Sequence, residues 1–183
     1  MNKIAIFFFF LILFLGACKN QKQSAREPID HQKTKIDTQS ISNNIHLNQI
    51  EEKYIKKMIE QDSLNQYYNQ GQGFWFHYIQ KNDTATYKPV ESDRVVLTYE
   101  IRDLSDNIIY SFDEIGEKTY IVDKENIFRG FREAVKLLKE GEEALFLLPS
   151  NAAYGYHGDE KRIGHNIPLK LHLKIKKIIK YKK

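Results

Sequence analysis

Cysteine is the first shortage: Cys18 is the only one in 183 residues. One thiol cannot close an intramolecular disulfide, and no cysteine–histidine zinc cluster can be assembled around it. A long hydrophobic run is lacking too. The apolar stretch from Ile4 to Leu15 falls well short of the roughly 20 residues that a membrane-spanning helix requires. Nor does one sign of charge dominate. The formal net charge is only +4 and unevenly spread: residues 1–89 carry 11 basic and 8 acidic side chains, 90–168 carry 10 and 16, and 169–183 carry seven and none. A weakly basic average therefore hides an acidic domain with a lysine-rich end, which argues against nucleic-acid binding. No internal repeat is apparent.

What is present reads as globular. Hydrophobic residues make up 42% and charged residues 28%, a balance that excludes disordered and fibrous classes. The length suits one core-bearing domain plus extensions. Mean hydropathy is −0.55 despite the apolar start, so the remainder is markedly polar.

Lys3 followed by Ile4 to Leu15 has the charge and length of a signal peptide. The run ends in Leu15-Gly16-Ala17-Cys18, which resembles the lipobox of bacterial lipoproteins. The resemblance implies cleavage of residues 1–17, acylation of Cys18 by fatty acid such as palmitate, and a membrane anchor for residues 18–183. Several acyl chains hold firmly, since each buried methylene contributes roughly 0.8 kcal/mol. An ordinary secretory signal with an incidental cysteine is the alternative. Lys19 after the cysteine favours outer-membrane sorting, and the expected location is the cell envelope, facing the periplasm.

Residues 18–45 are rich in Gln, Lys, Ser, Thr, Asn and Asp. Such a stretch buries too little apolar surface to offset chain entropy, so it reads as a flexible tether. Residues 46–88 read as an extension: a helix over 46–68, with Leu47, Ile50, Tyr54 and Met58 at helical spacing, then an added strand around Phe74-Trp75-Phe76. The helix either packs on the downstream domain or serves a partner.

Residues 89–183 form the expected main domain. Val95, Leu97, Tyr99 and Ile101 alternate with polar neighbours, as in a half-buried strand. Ser105-Asp106-Asn107 supplies turn chemistry before Ile108-Ile109-Tyr110, and Lys118 to Val122 is another short strand. The spacing predicts a helix over 127–140, with Ile127, Phe131, Ala134, Val135 and Leu138 on one face and Gly141 beyond its end. A strand over 142–148 stops at Pro149, and Leu169, Leu171, Leu173 and Ile175 alternate with Lys170, His172, Lys174 and Lys176 in the last strand. The fold class is α+β: an antiparallel β-sheet wrapped around one short α-helix, with an N-terminal helical extension. The terminal lysines read as a solvated sheet edge that discourages pairing, or as a contact for anionic lipid.

The order of motifs from about Pro89 to Ile179 resembles the FKBP-type peptidyl-prolyl isomerases. The motifs are Val95 to Tyr99, Tyr120 to Gly130, Leu137 to Glu142, Pro149 with Ala152-Ala153-Tyr154-Gly155, and Ile163 to Leu173. With the lipobox, the helix and the Gly-Phe-Trp-Phe strand, the chain is similar to gliding-motility-associated FKBP-type lipoproteins. The resemblance implies an FKBP-like fold, a rotamase activity on X–Pro bonds that needs no cofactor or metal, and proline-containing segments of envelope proteins as partners. It also implies a pocket. Tyr99, Phe131 and Tyr154 would be its catalytic residues, with Phe131 as the floor and the Tyr154 hydroxyl holding the substrate carbonyl together with the Phe128 N–H. Tyr110, Ser111, Ile127, Phe128, Ile163 and Leu171 would bind substrate.

Two positions depart from the family pattern in the pocket walls. Ser111 stands where members carry a carboxylate, and Lys118 where members carry an early phenylalanine. Phe131 replaces the tryptophan of many members. These departures leave a second expectation beside the enzyme, a non-catalytic binding or chaperone module of a secretion or motility machine. His157, His165 and His172 lie near the flap and last strand, without the convergent carboxylates that a metal site needs.

Overall fold

The structure, a computed structural model, describes residues 38–69 and 71–182. The lipobox, Cys18 and most of the expected tether lie outside the described residues. In chain order the elements are α1 (Thr38–Gln61), β1 (Trp75–Gln80), β2 (Arg94–Asp103), β3 (Ile108–Tyr110), α2 (Phe112–Ile115), β4 (Lys118–Ile121), α3 (Arg129–Leu137), β5 (Glu143–Leu148) and β6 (Leu169–Ile179). The strands make one antiparallel sheet in the order β1-β5-β6-β2-β3, and β4 also pairs with β2. β4 lines the first half of β2 (Val95↔Tyr120) and β3 the second (Ile101↔Tyr110). The excursion between them carries α2.

Period-two alternation sorts the sheet into two faces. Val95, Leu97, Leu171, Leu173, Ile175, Ala144 and Phe146 are all fully buried on one face, against Phe131, Ala134 and Val135 of α3. Phe76 of β1 and Phe74 just before it extend this core at the sheet edge, with Phe76 stacked on Phe146 at 5.2 Å between ring centroids. On the opposite face Ile55 of α1 packs with Trp75 and Leu147 in a second, smaller core.

Three expectations shift. The first helix spans Thr38–Gln61 rather than 46–68. It stops because the Asp62 carboxylate accepts the N–H groups of Leu64 and Asn65 at 3.1 and 3.3 Å, an Asx turn that competes with the helix. It starts inside the expected tether because extending a docked helix costs far less than nucleating one. The main-domain helix is Arg129–Leu137 rather than 127–140. Leu138 turns extended, and Glu142 accepts the Lys139 N–H at 2.8 Å.

The third shift concerns the last strand. β6 pairs with β2 along its length but with β5 only over Leu169–Lys174, so its first half is interior and only its end, with Lys176 and Lys177 exposed, is the expected solvated edge. Three of its lysines also meet carboxylates, Lys170 with Asp106 at 2.6 Å, Lys174 with Glu143 at 3.0 Å and Lys176 with Glu117 at 2.9 Å. A register shift opposite Val96 and Leu97 inserts an extra residue in β6, so that Ile178 returns to the core face beside Val95.

Candidate functional site

A cavity of about 370 Å³ opens where the end of β2, β3, α2 and the β5–β6 loop converge. Three phenols face it, Tyr99 from β2, Tyr110 from β3 and Tyr154 from the loop, with Ile101 and Ile115 between them. Glu114, Lys118, Asp159 and Lys161 complete its walls. Burial pushes the phenols of Tyr99 and Tyr154 above the ordinary tyrosine value, so both stay protonated near neutrality. Neither hydroxyl engages a partner among the described residues.

Below this surface lies an aromatic bed. Phe131 meets Tyr99 edge-on at 5.0 Å and Phe128 at 5.9 Å, and Phe128 packs on Tyr154 at 4.7 Å. Phe131 is 1% exposed. It therefore does not form an open floor; it sits in the core and supports Tyr99 from beneath. Leu171 and Ile163 are likewise buried rather than exposed to the cavity, and Ile127 and Phe128 pack at the margin of the same core. The Tyr99 ring lies against Phe131 and the Tyr154 ring against Phe128, so at these two positions the expected apolar surface is covered by a phenol.

Ser111 also differs from expectation. Its hydroxyl accepts the Glu114 N–H at 3.2 Å as the N-cap of α2, a local structural task. The pocket carboxylate comes from Asp159 instead. One of its oxygens accepts the N–H groups of Ile163, Arg162 and Lys161 at 2.7, 2.9 and 3.0 Å. The other accepts the Tyr110 hydroxyl. Burial alone would raise the Asp159 pKa; these hydrogen bonds outweigh it and hold the group below the usual aspartate value.

Arg162 completes the clasp. Its guanidinium lies 4.9 Å from the centre of the Tyr110 ring, donates to the Ile109 carbonyl at 2.9 Å and pairs with Glu114 at 2.6 Å. The flap is thus tied to β3 and α2 by four side chains. Sequence reasoning missed Asp159, Glu114, Lys161 and Arg162. Gly158-Asp159 carried a usable signal, since an aspartate after glycine in a loop often organises the N–H groups that follow it.

The Tyr154 loop is set by close packing with α3. Gly130 donates its N–H to the Ala152 carbonyl at 2.6 Å, and a Cβ there would stand 2.8 Å from that oxygen. Only glycine permits this approach. Among the described residues no three His, Cys, Asp or Glu side chains converge on a metal-sized site. His172 pairs with Glu143 at 2.7 Å, and His165 stacks on Tyr156.

A six-stranded antiparallel sheet over one short helix, with a tyrosine-lined cavity at its open end, defines the class. Residues 85–176 match the family described as FKBP-type peptidyl-prolyl cis-trans isomerase, and the chain belongs to that family. It is 35% identical over 91 residues to the probable FKBP-type peptidyl-prolyl cis-trans isomerase FkpA of Neisseria meningitidis serogroup B, an alignment covering 50% of this chain and 33% of that one. The chain therefore spans about a third of that relative's length. The fold is similar to that of a peptidyl-prolyl cis-trans isomerase from Pseudomonas syringae pv. tomato, with a TM-score of 0.60 and 17% identity over 75% of this chain and 96% of that chain.

Proposed function

We propose that the chain is a peptidyl-prolyl cis-trans isomerase, acting on X–Pro bonds in the Tyr99–Tyr110–Tyr154 cavity. The observation that carries this is the Tyr154 hydroxyl, protonated, without a hydrogen-bond partner among the described residues and held above a buried aromatic bed. Rotation about an X–Pro bond is slow because amide resonance must be broken. The twisted amide has less charge separation than the planar one, so an apolar surround favours it. A hydroxyl donor aimed at the substrate carbonyl orients the bond without competing for its nitrogen. Asp159 keeps the flap over the site rather than acting on substrate.

The substrate side of this reading is electrostatic. Glu114 is matched by Arg162, and Asp159 is engaged by Tyr110 and three backbone N–H groups. Lys118 and Lys161 line the cavity without an ion pair among the described residues. Their uncompensated ammonium groups favour X–Pro segments with an acidic residue beside the proline.

The same proposal includes a lipid anchor at Cys18, an outer-membrane position facing the periplasm and clients among envelope proteins, gliding-motility components included. Support comes from the Leu15-Gly16-Ala17-Cys18 lipobox and the order of motifs. A protease-coupled assay of cis/trans exchange on X–Pro peptides tests the activity. Absence of catalysis with a folded chain would leave the binding-module reading in its place. Loss of fatty-acid labelling and of membrane fractionation in Cys18→Ser tests the anchor, and unchanged labelling would remove it.

A further inference from the structure

α1 lies outside residues 85–176 that match the family, yet it sends a carboxylate to the loop that carries Tyr154. Glu51 is 5% exposed. Its two oxygens accept the Ser150 N–H at 2.7 Å and the Ser150 hydroxyl at 2.8 Å. Ser150 is itself buried, and its carbonyl accepts the N–H groups of Ala153 and Gly155 at 3.0 and 2.9 Å. Those two residues flank Tyr154. A continuous chain of hydrogen bonds thus runs from the extension helix, through one serine, to both shoulders of the substrate-facing tyrosine.

We propose that Glu51 is a positioning residue for the isomerase site, acting through Ser150 on Tyr154; this rests on the proposed activity. A buried carboxylate is an expensive way to pin a helix, and Ile55 already docks α1 against Trp75 and Leu147. What the apolar contact cannot do is fix the Ser150 peptide plane. Glu51 does so with two bonds from one rigid group, and the plane sets the turn from Pro149 to Gly155. Misplacing a reacting group by an ångström costs up to about a hundredfold in rate.

Glu51→Ala in the full chain is the test, with Trp75 as an internal control. Trp75 is the single tryptophan and packs against Ile55, so its emission reports whether α1 stays docked. Expected are unchanged emission, a fall in kcat/KM of up to about fivefold, the loss expected when the Tyr154 hydroxyl itself is removed, and faster hydrogen exchange at the Ala153 and Gly155 amides. Glu51→Gln retains an acceptor for the Ser150 N–H and a donor for its hydroxyl, and should restore most of the rate. The loss should also be non-additive with Tyr154→Phe, because both act on one group. Unchanged kcat/KM and unchanged exchange with α1 docked would overturn the assignment. If Glu51→Ala undocks α1, Glu51→Met decides: it removes both bonds to Ser150 while a side chain of similar length keeps the buried face of α1 covered, so it must lower kcat/KM with emission unchanged, and full activity overturns the proposal. Should the wild-type chain prove inactive, the activity reading falls separately, and amide exchange alone judges the coupling.

Discussion

The Tyr110 hydroxyl donates to the Asp159 carboxylate across 49 residues of sequence, joining β3 to the flap. This bond couples the cavity wall to its cover. The same carboxylate holds three flap N–H groups, so the flap cannot lift without breaking contacts on both sides at once. It also supplies the negative charge that Ser111 does not bring to the cavity.

Acidification should therefore open the flap. The Asp159 pKa is lowered in the folded chain because its hydrogen bonds outweigh burial. A depressed carboxylate contributes stability that is complete above its ordinary value of about 3.9 and is lost as pH falls through the lower folded value. Protection of the Ile163 amide, taken relative to its intrinsic exchange rate at each pH, should hold down to about pH 4 and fall below it. Asp159→Ala should show low protection at every pH. Equal protection in both proteins would show that the carboxylate does not hold the flap.

Tyr154→Phe removes one hydroxyl and leaves the ring on Phe128. A single oriented hydrogen bond contributes about 1 kcal/mol, so kcat/KM should fall roughly fivefold with the denaturation midpoint unchanged. Full activity in this variant would take the substrate-holding role from Tyr154.

Most of the sheet was legible because alternation is a local signal. Leu169 through Ile175 could only be a half-buried strand, and its place between β5 and β2 makes the leucines fully buried. What stayed hidden depends on contacts distant in sequence. Ser111, beside Tyr110 in the chain, reads as the loss of a cavity carboxylate, whereas the fold brings one to Tyr110 from Asp159. The 99-residue reach of Glu51 to Ser150 has no local signature either. Phe131 was placed at an open floor because nothing in the spacing says that Tyr99 lies across it.

Phe131 now carries a definite expectation. It is fully buried between Tyr99, Tyr120 and Phe128. Phe131→Ala should cost about 3–5 kcal/mol, the range for emptying an aromatic core site. Phe131→Trp should overpack the same space and cost about 1–3 kcal/mol. Urea midpoints measure both. A Phe131→Trp variant as stable as wild type and faster as an isomerase would mean that the ring faces substrate after all.

Lys118 offers the most direct handle on substrate choice. It projects from the start of β4 into the cavity wall without an ion pair among the described residues, and Lys161 stands on the flap side of the same space. Both are solvent-exposed, so each acts as a screened charge and its effect on one substrate is modest. Peptides with glutamate beside the proline should therefore outpace their lysine counterparts by about two- to fivefold at low salt. The advantage should shrink as ionic strength rises, because the screening length falls to about 10 Å at 0.1 M. Lys118→Glu should reverse the preference while leaving turnover of a neutral peptide nearly unchanged, since the Tyr154 donor and the aromatic bed are untouched. Lys118→Phe should abolish the charge preference and tighten binding of apolar peptides by filling the wall. The measurement is kcat/KM for an acidic, a neutral and a basic peptide across a salt series. If the three rates stay in the same ratio in wild type and Lys118→Glu, the ammonium group does not face bound substrate. Selectivity would then have to come from the flap.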